Sequence, residues 1–179
     1  TGFAHSYVAS PGKAKHLAVS GSNLIGLNYK SDELESATTA VEGEIKIFTD
    51  AELKNSTSFN VGTIAPNNGK NTIAVDNTGN IYVCKSAKGL MAYDTTGNPL
   101  WSKEYVTPVS SGNKNNQVDK REGYINGVTL KGDYVYVAAG AYGVVILNKA
   151  DGTEVAHRAV GNLNSANYIT VDNNNNIYV

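Results

Sequence analysis

Apolar residues along this chain come in short alternating runs separated by clusters of Asp, Asn and Gly. Residues 71–83 read NTIAVDNTGNIYV and residues 167–179 read NYITVDNNNNIYV. Residues 126–137, NGVTLKGDYVYV, repeat the pattern with one residue fewer in the turn, and residues 15–25, KHLAVSGSNLI, carry a weaker copy. An apolar run, a polar turn and a second apolar run predict a β-hairpin. More strand follows at matching spacing: Gly43–Phe48, Gly89–Asp94 and Gly143–Asn148 form a third run. Leu100–Tyr105 and Thr153–Val160 form a fourth and more polar one. The repeat is thus four strands, growing more polar from first to fourth, with the innermost strands expected to be packed on both faces.

Val19, Val75, Leu130 and Val171 hold equivalent positions in the first strands, at separations of 56, 55 and 41 residues. The last interval is the period of about 40–45 residues typical of propeller blades. The two longer ones imply insertions near residues 29–42 and 107–123. The expected fold is therefore all-β, a β-propeller of four-stranded antiparallel blades in one domain. Whole blades are expected at 15–62, 71–106 and 124–161, and 167–179 starts a further one. Ala4-His5-Ser6-Tyr7-Val8 aligns without a gap onto Ala156-His157-Arg158-Ala159-Val160, so residues 1–10 are expected to be the outer strand of a preceding blade. Closed rings take about 4–8 blades. The chain is accordingly expected to be part of a longer ring, the alternative being a four-bladed ring that residues 1–10 close.

Composition narrows the function classes. The 179 residues carry 15 Lys and Arg against 16 Asp and Glu, a net charge of -1, so no basic face is expected for nucleic acid. No apolar stretch approaches the roughly 20 residues of a membrane-spanning helix. The single cysteine, Cys84, follows Ile81-Tyr82-Val83 and is expected to be a small buried side chain. His5, His16 and His157 show no ligand spacing, and the calcium-loop spacing is missing around Asp172, so no metal and no cofactor are expected. Neither a nucleophile elbow nor a phosphate-binding glycine loop occurs.

IAVDNTGNIYV and ITVDNNNNIYV resemble the hairpin of the NHL type of propeller repeat. Gly132-Asp133-Tyr134-Val135-Tyr136-Val137-Ala138-Ala139 with Gly143-Val144-Val145-Ile146 resembles the LVIVD repeat of bacterial envelope proteins. Leu100-Trp101 after a glycine turn is similar to a quinoprotein-type (PQQ-like) blade. The resemblance implies a scaffold that binds another protein, secreted or on the surface or in the periplasm of a bacterial envelope. It also leaves open an enzyme (a lyase, lactonase or quinoprotein-like dehydrogenase) with active residues in other blades.

In such a blade both insertions rise from one face, where long loops on a rigid frame are the usual place for a partner. The first loop holds Asp32, Glu33, Glu35 and Glu42, and the second Lys120, Arg121 and Glu122. At the same end of the first strands stand Asn71, Asn126 and Asn167, with Lys15 at the equivalent place in the first copy. Together with His16, Tyr124 and Tyr168 they form the candidate ligand-binding set, amides and rings suited to a carbohydrate at the mouth of a central channel. The alternative is that each Asn caps its own turn.

Overall fold

The computed structural model describes residues 14–29, 41–64, 72–85, 89–104, 125–140, 142–159 and 165–179. Sheet one comprises β1 (Ala14–Ser20), β2 (Asn23–Tyr29), β3 (Val41–Phe48) and β4 (Ser56–Ile64). Sheet two comprises β5 (Ile73–Val75), β6 (Ile81–Cys84), β7 (Leu90–Tyr93) and β8 (Pro99–Lys103). Sheet three comprises β9 (Gly127–Lys131), β10 (Tyr134–Ala138), β11 (Val144–Asn148) and β12 (Glu154–Arg158). A hairpin of β13 (Thr170–Val171) and β14 (Ile177–Tyr178) follows. Strands lie in sequence order within each sheet, every neighbour antiparallel. The protein is all-β, built of antiparallel four-stranded sheets, and the described residues contain no helix.

The repeated turns have one physical cause. In the hairpin between β5 and β6, Asp76 accepts on one carboxylate oxygen from the Thr78 and Asn80 amides and from the Thr78 hydroxyl. Its other oxygen accepts from the Asn80 side-chain amide. Gly79 N–H donates back to the Asp76 carbonyl at 3.1 Å, and Gly79 has φ 89°. This is a three-residue hairpin loop closed by one residue in the left-handed region. Asp94 builds the same loop with Thr96, Gly97 and Asn98, and Asp172 builds it with Asn174, Asn175 and Asn176. Asn175 takes the left-handed place at φ 66°, which Asn tolerates better than most residues. Hydrogen bonds from Asn98 and Thr96 hold the Asp94 carboxyl below the ordinary range, and Asn176 does the same for Asp172. Burial pushes the Asp76 carboxyl up, but the bonds from Thr78 and Asn80 outweigh it.

The sheets stack face to face, with first strands side by side: β1 against β5, β5 against β9, β9 against β13. Period-2 alternation then sends successive side chains into different cores. In β6, Ile81 and Val83 enter the core shared with sheet one, where they meet Leu27 and Ile45. Tyr82 and Cys84 enter the core shared with sheet three, where they meet Val135 and Leu147. Tyr136 and Ala138 of β10 face a third core with Ala166 and Ile169. Each fully buried aliphatic side chain stabilises the stack by about 1.5–3 kcal/mol.

Burial peaks on the second and third strands rather than on the first. β6 is buried throughout, whereas β1 and most of β9 are only partly covered. The reason is topological: in each four-stranded sheet the first strand borders one strand of its own sheet, while the second and third are flanked on both edges. The fourth strands β8 and β12 are short and mostly wet, as their polarity predicts.

Two aromatic residues lock successive sheets. A Cβ on Gly97 would fall 2.5 Å from Phe59 Cγ of β4, and one on Gly152 would fall 2.6 Å from Trp101 Cε3 of β8. A ring on β4 and a ring on β8 thus each rest on the bare backbone of the next sheet's last turn. Phe59 also packs on Tyr93, and Trp101 on Tyr82, with ring centroids 5.5 Å and 5.8 Å apart. The Trp101 indole N–H donates to the Lys149 carbonyl at 2.9 Å.

Gly152 and Gly132 both hold positive φ, 72° and 56°, but nothing lies within 4 Å of a Cβ at Gly132. Gly132→Ala is expected to cost only about 1 kcal/mol of left-handed strain. Gly152→Ala is expected to add about 1–3 kcal/mol of overpacking against Trp101. Urea unfolding of the two variants checks this; equal losses would show that the Trp101 contact does not hold the sheets.

Candidate binding site

Two regions gather polar side chains, and in both the fold uses most of them. The first is the end of the first strands, where the sequence places its candidate residues. Asn126 is buried. Its side-chain amide donates to the Ala166 carbonyl at 3.0 Å and to Asn167 Oδ1 at 3.2 Å. Its amide thus staples sheet three to the segment leading into β13. Asn167 is exposed and does close its own turn, donating to the Ser165 carbonyl at 3.1 Å. The structure brings these two asparagines together, with Tyr168 beside them 62% exposed.

Lys15 and His16 lie on β1 and make other contacts. Lys15 Nζ stands 4.7 Å from the centre of the Tyr29 ring, a cation–π contact. His16 Nδ1 accepts from the Ile73 amide of sheet two at 3.3 Å. That acceptor role requires the neutral ring, and burial lowers the His16 pKa. Asn71, Tyr124 and nearly all of the two long loops, 30–40 and 107–123, lie outside the described residues.

Sequence reasoning missed Lys85, a buried lysine in the junction of sheets one and two. Its ammonium donates to the Val61 carbonyl at 2.6 Å, and the Tyr93 hydroxyl donates to the same carbonyl at 3.3 Å. A lysine directly after an apolar strand was the available signal, but its acceptor lies 24 residues back, beyond any local pattern. Cys84, by contrast, is buried as expected, and burial pushes its thiol up to about 12.

The second region is a crevice between sheets two and three, at the end carrying the short hairpin turns. Two adjoining cavities of about 430 Å³ and 410 Å³ share Asp76, Asp133 and Lys149. The missing turn residue of the third copy explains it. At the other two junctions a side chain just past the first-strand core position reaches the next hairpin. Ser20 Oγ donates to the Asp76 carbonyl at 3.1 Å, and Lys131 Nζ to the Asp172 carbonyl at 2.8 Å. Asp76 holds that position between sheets two and three, and its carboxylate is turned back into its own loop. With the shorter turn at Lys131-Gly132-Asp133, a gap stays open, bordered by Lys149 and Asp133 of one sheet and Asn77 and Asn80 of the other. Charges of both signs and amides suit a polar ligand and activate no nucleophile. The described residues hold no group of three or more His, Cys, Asp or Glu able to hold a metal ion.

These features define a class: an all-β repeat protein whose polar side chains mostly tie one sheet to the next. No family model and no curated protein matches the chain. Solved structures do resemble it. The computationally designed Ika4 protein aligns with a TM-score of 0.61 at 10% identity, over 97% of this chain and 93% of that one. The computationally designed Ika8 protein aligns with a TM-score of 0.55 at 10% identity, over 90% of this chain, which spans 41% of that one. At such identity the likeness is one of fold alone.

Two outcomes are expected. The His16 contribution to stability is fully present above the ordinary histidine pKa of about 6.5 and is lost as pH falls through the lowered folded value. Unfolding free energy should therefore decline as pH falls below about 6.5, with a shallower decline in His16→Gln. Cys84 should react with a thiol reagent only at the rate of global unfolding, so rapid native-state labelling would contradict its burial.

Proposed function

We propose that this chain is a run of propeller blades that serves as a non-enzymatic binding scaffold of a bacterial envelope. The observation that carries the reading is where the polar side chains go. His16, Lys85, Asn126, Lys131 and Trp101 each bond to a main-chain group of the neighbouring sheet or segment. Residues committed in that way hold a frame rigid; they are not disposed to exchange protons or attack a substrate. Radial placement of the sheets, first strands inward, is supported by the side-by-side order of β1, β5, β9 and β13.

On this reading a protein partner engages the face that carries loops 29–42 and 107–123. A second reading, a carbohydrate at the end of the first strands, is favoured by the Asn126–Asn167 amide pair and the exposed Tyr168 ring.

The test is affinity purification from an envelope extract, using the chain and a variant in which Asp32, Glu33, Glu35, Lys120 and Arg121 are all serine. A protein captured by the first and lost by the second, at unchanged melting temperature, is the expected result. Capture that survives the exchange would overturn the assigned face. Capture of nothing, with a glycan array answered by the chain and not by Tyr168→Ala, would transfer the assignment to the carbohydrate reading.

A further inference from the structure

Every described aspartate but one spends its carboxylate on its own turn. Asp50, Asp76, Asp94, Asp151 and Asp172 each accept from a main-chain amide a few residues on. Asp133 is the exception: its carboxylate accepts no hydrogen bond and joins no ion pair among the described residues. The cause is loop length. Lys131 pairs with Tyr134, so Gly132 and Asp133 alone make the turn, with Gly132 at φ 56°. Glycine at the first central position suits a two-residue hairpin loop. In the three-residue loops, amides two and four positions past the aspartate fold back onto it. Past Asp133 those positions are Val135 and Val137, which already belong to the ladder of β10.

Lys149 stands beside Asp133 with the opposite charge. Its main chain is fixed on both sides. The Lys149 amide donates to the Asp133 carbonyl at 2.8 Å, and the Lys149 carbonyl accepts from the Trp101 indole at 2.9 Å. Its ammonium bonds to nothing among the described residues, Asp133 included. Across the crevice the Asn77 side-chain amide is likewise uncommitted. Val75 and Leu130, half-buried on neighbouring first strands, supply an apolar wall, and Leu100, 49% exposed, flanks the adjoining cavity. Each cavity has the size that small ligands occupy. Polar groups that the fold leaves unused, yet holds on fixed main chain, lower the ordering cost of binding.

Two opposite charges that border one crevice without pairing select a ligand that carries both. A simple anion would gain Lys149 but meet Asp133 and Asp76; a simple cation would meet Lys149. No ring face is open for a sugar or a base to stack on, because Tyr82, the aromatic residue in the described lining, is 1% exposed and packed on Trp101. We infer that the crevice between sheets two and three is a binding site for a small zwitterion, an aliphatic α-amino acid. Its ammonium pairs with Asp133, its carboxylate with Lys149, and its side chain lies against Val75 and Leu130.

These residues lie outside both long loops, so the site stands or falls apart from the protein-partner reading. The test is titration of the 179-residue chain with L-leucine, L-leucinamide and N-acetyl-L-leucine, read by calorimetry and by amide NMR shifts. Leucine should bind saturably with a dissociation constant of about 1 mM or lower, shifting the amides of Asn77, Gly132, Asp133 and Lys149. Leucinamide lacks the carboxylate and N-acetyl-leucine the ammonium, and each should bind at least about fivefold more weakly. Lys149→Gln should abolish the preference for leucine over leucinamide, and Asp133→Asn the preference over N-acetyl-leucine. Both variants should keep the melting temperature, since neither side chain bonds within the fold. No saturable leucine binding up to about 10 mM, equal affinity for the three probes, or shifts confined to other residues would overturn the proposal. So would preferences that survive both exchanges. The comparison of the three probes uses the unaltered chain, and it decides the matter even where a variant fails to fold.

Discussion

Everything in this structure depends on burying both faces of each middle strand. A two-faced apolar strand such as β6 has no solvent side, so no single sheet can satisfy it. Ile81 and Val83 need sheet one, and Tyr82 and Cys84 need sheet three. The sheets are therefore parts of a stack before they are anything else, and the side-by-side order of the first strands follows from that need.

Apolar burial alone does not fix how one sheet sits on the next, because it is non-directional. The polar residues supply direction. His16 to Ile73, Lys85 to Val61, Asn126 to Ala166 and Lys131 to Asp172 each tie a side chain to a defined main-chain group across a junction. The aromatic residues on the fourth strands work at the rim, where Phe59 and Trp101 cover glycine backbone that any larger residue would close off. The crevice beside Asp133 and Lys149 marks the one junction among the three where the hairpin beyond is a residue shorter and the first-strand tie is replaced by an aspartate folded onto itself.

Local chemistry made the hairpins legible in the sequence. Asp76 and Asp172, each followed by Asn four residues later, announce a loop whose bonds are all within five residues. The third strands were legible through their glycines, and the burial of Cys84 through its apolar neighbours. Side-chain destinations across junctions were not legible, since the partners lie 24 to 57 residues apart. Asn126 shows the difference: its repetition suggested a cap on its own turn, yet its amide crosses to Ala166, 40 residues on, whose carbonyl also accepts from the Gly140 amide. Phe59 was overlooked because it does in sheet one what a single tryptophan does in sheet two, and the two rings share a position without sharing a residue type.

Among the described residues the principal contacts between sheets run from each to the next, β1 to β5 to β9 to β13. A chain coupled in that manner behaves as a linear array of units with nearest-neighbour terms. Along the described contacts a perturbation in sheet one reaches sheet three by way of sheet two. Sheets two and three, each with a neighbour on both sides among the described residues, are then held most firmly against local opening and are the last to exchange their amides with water.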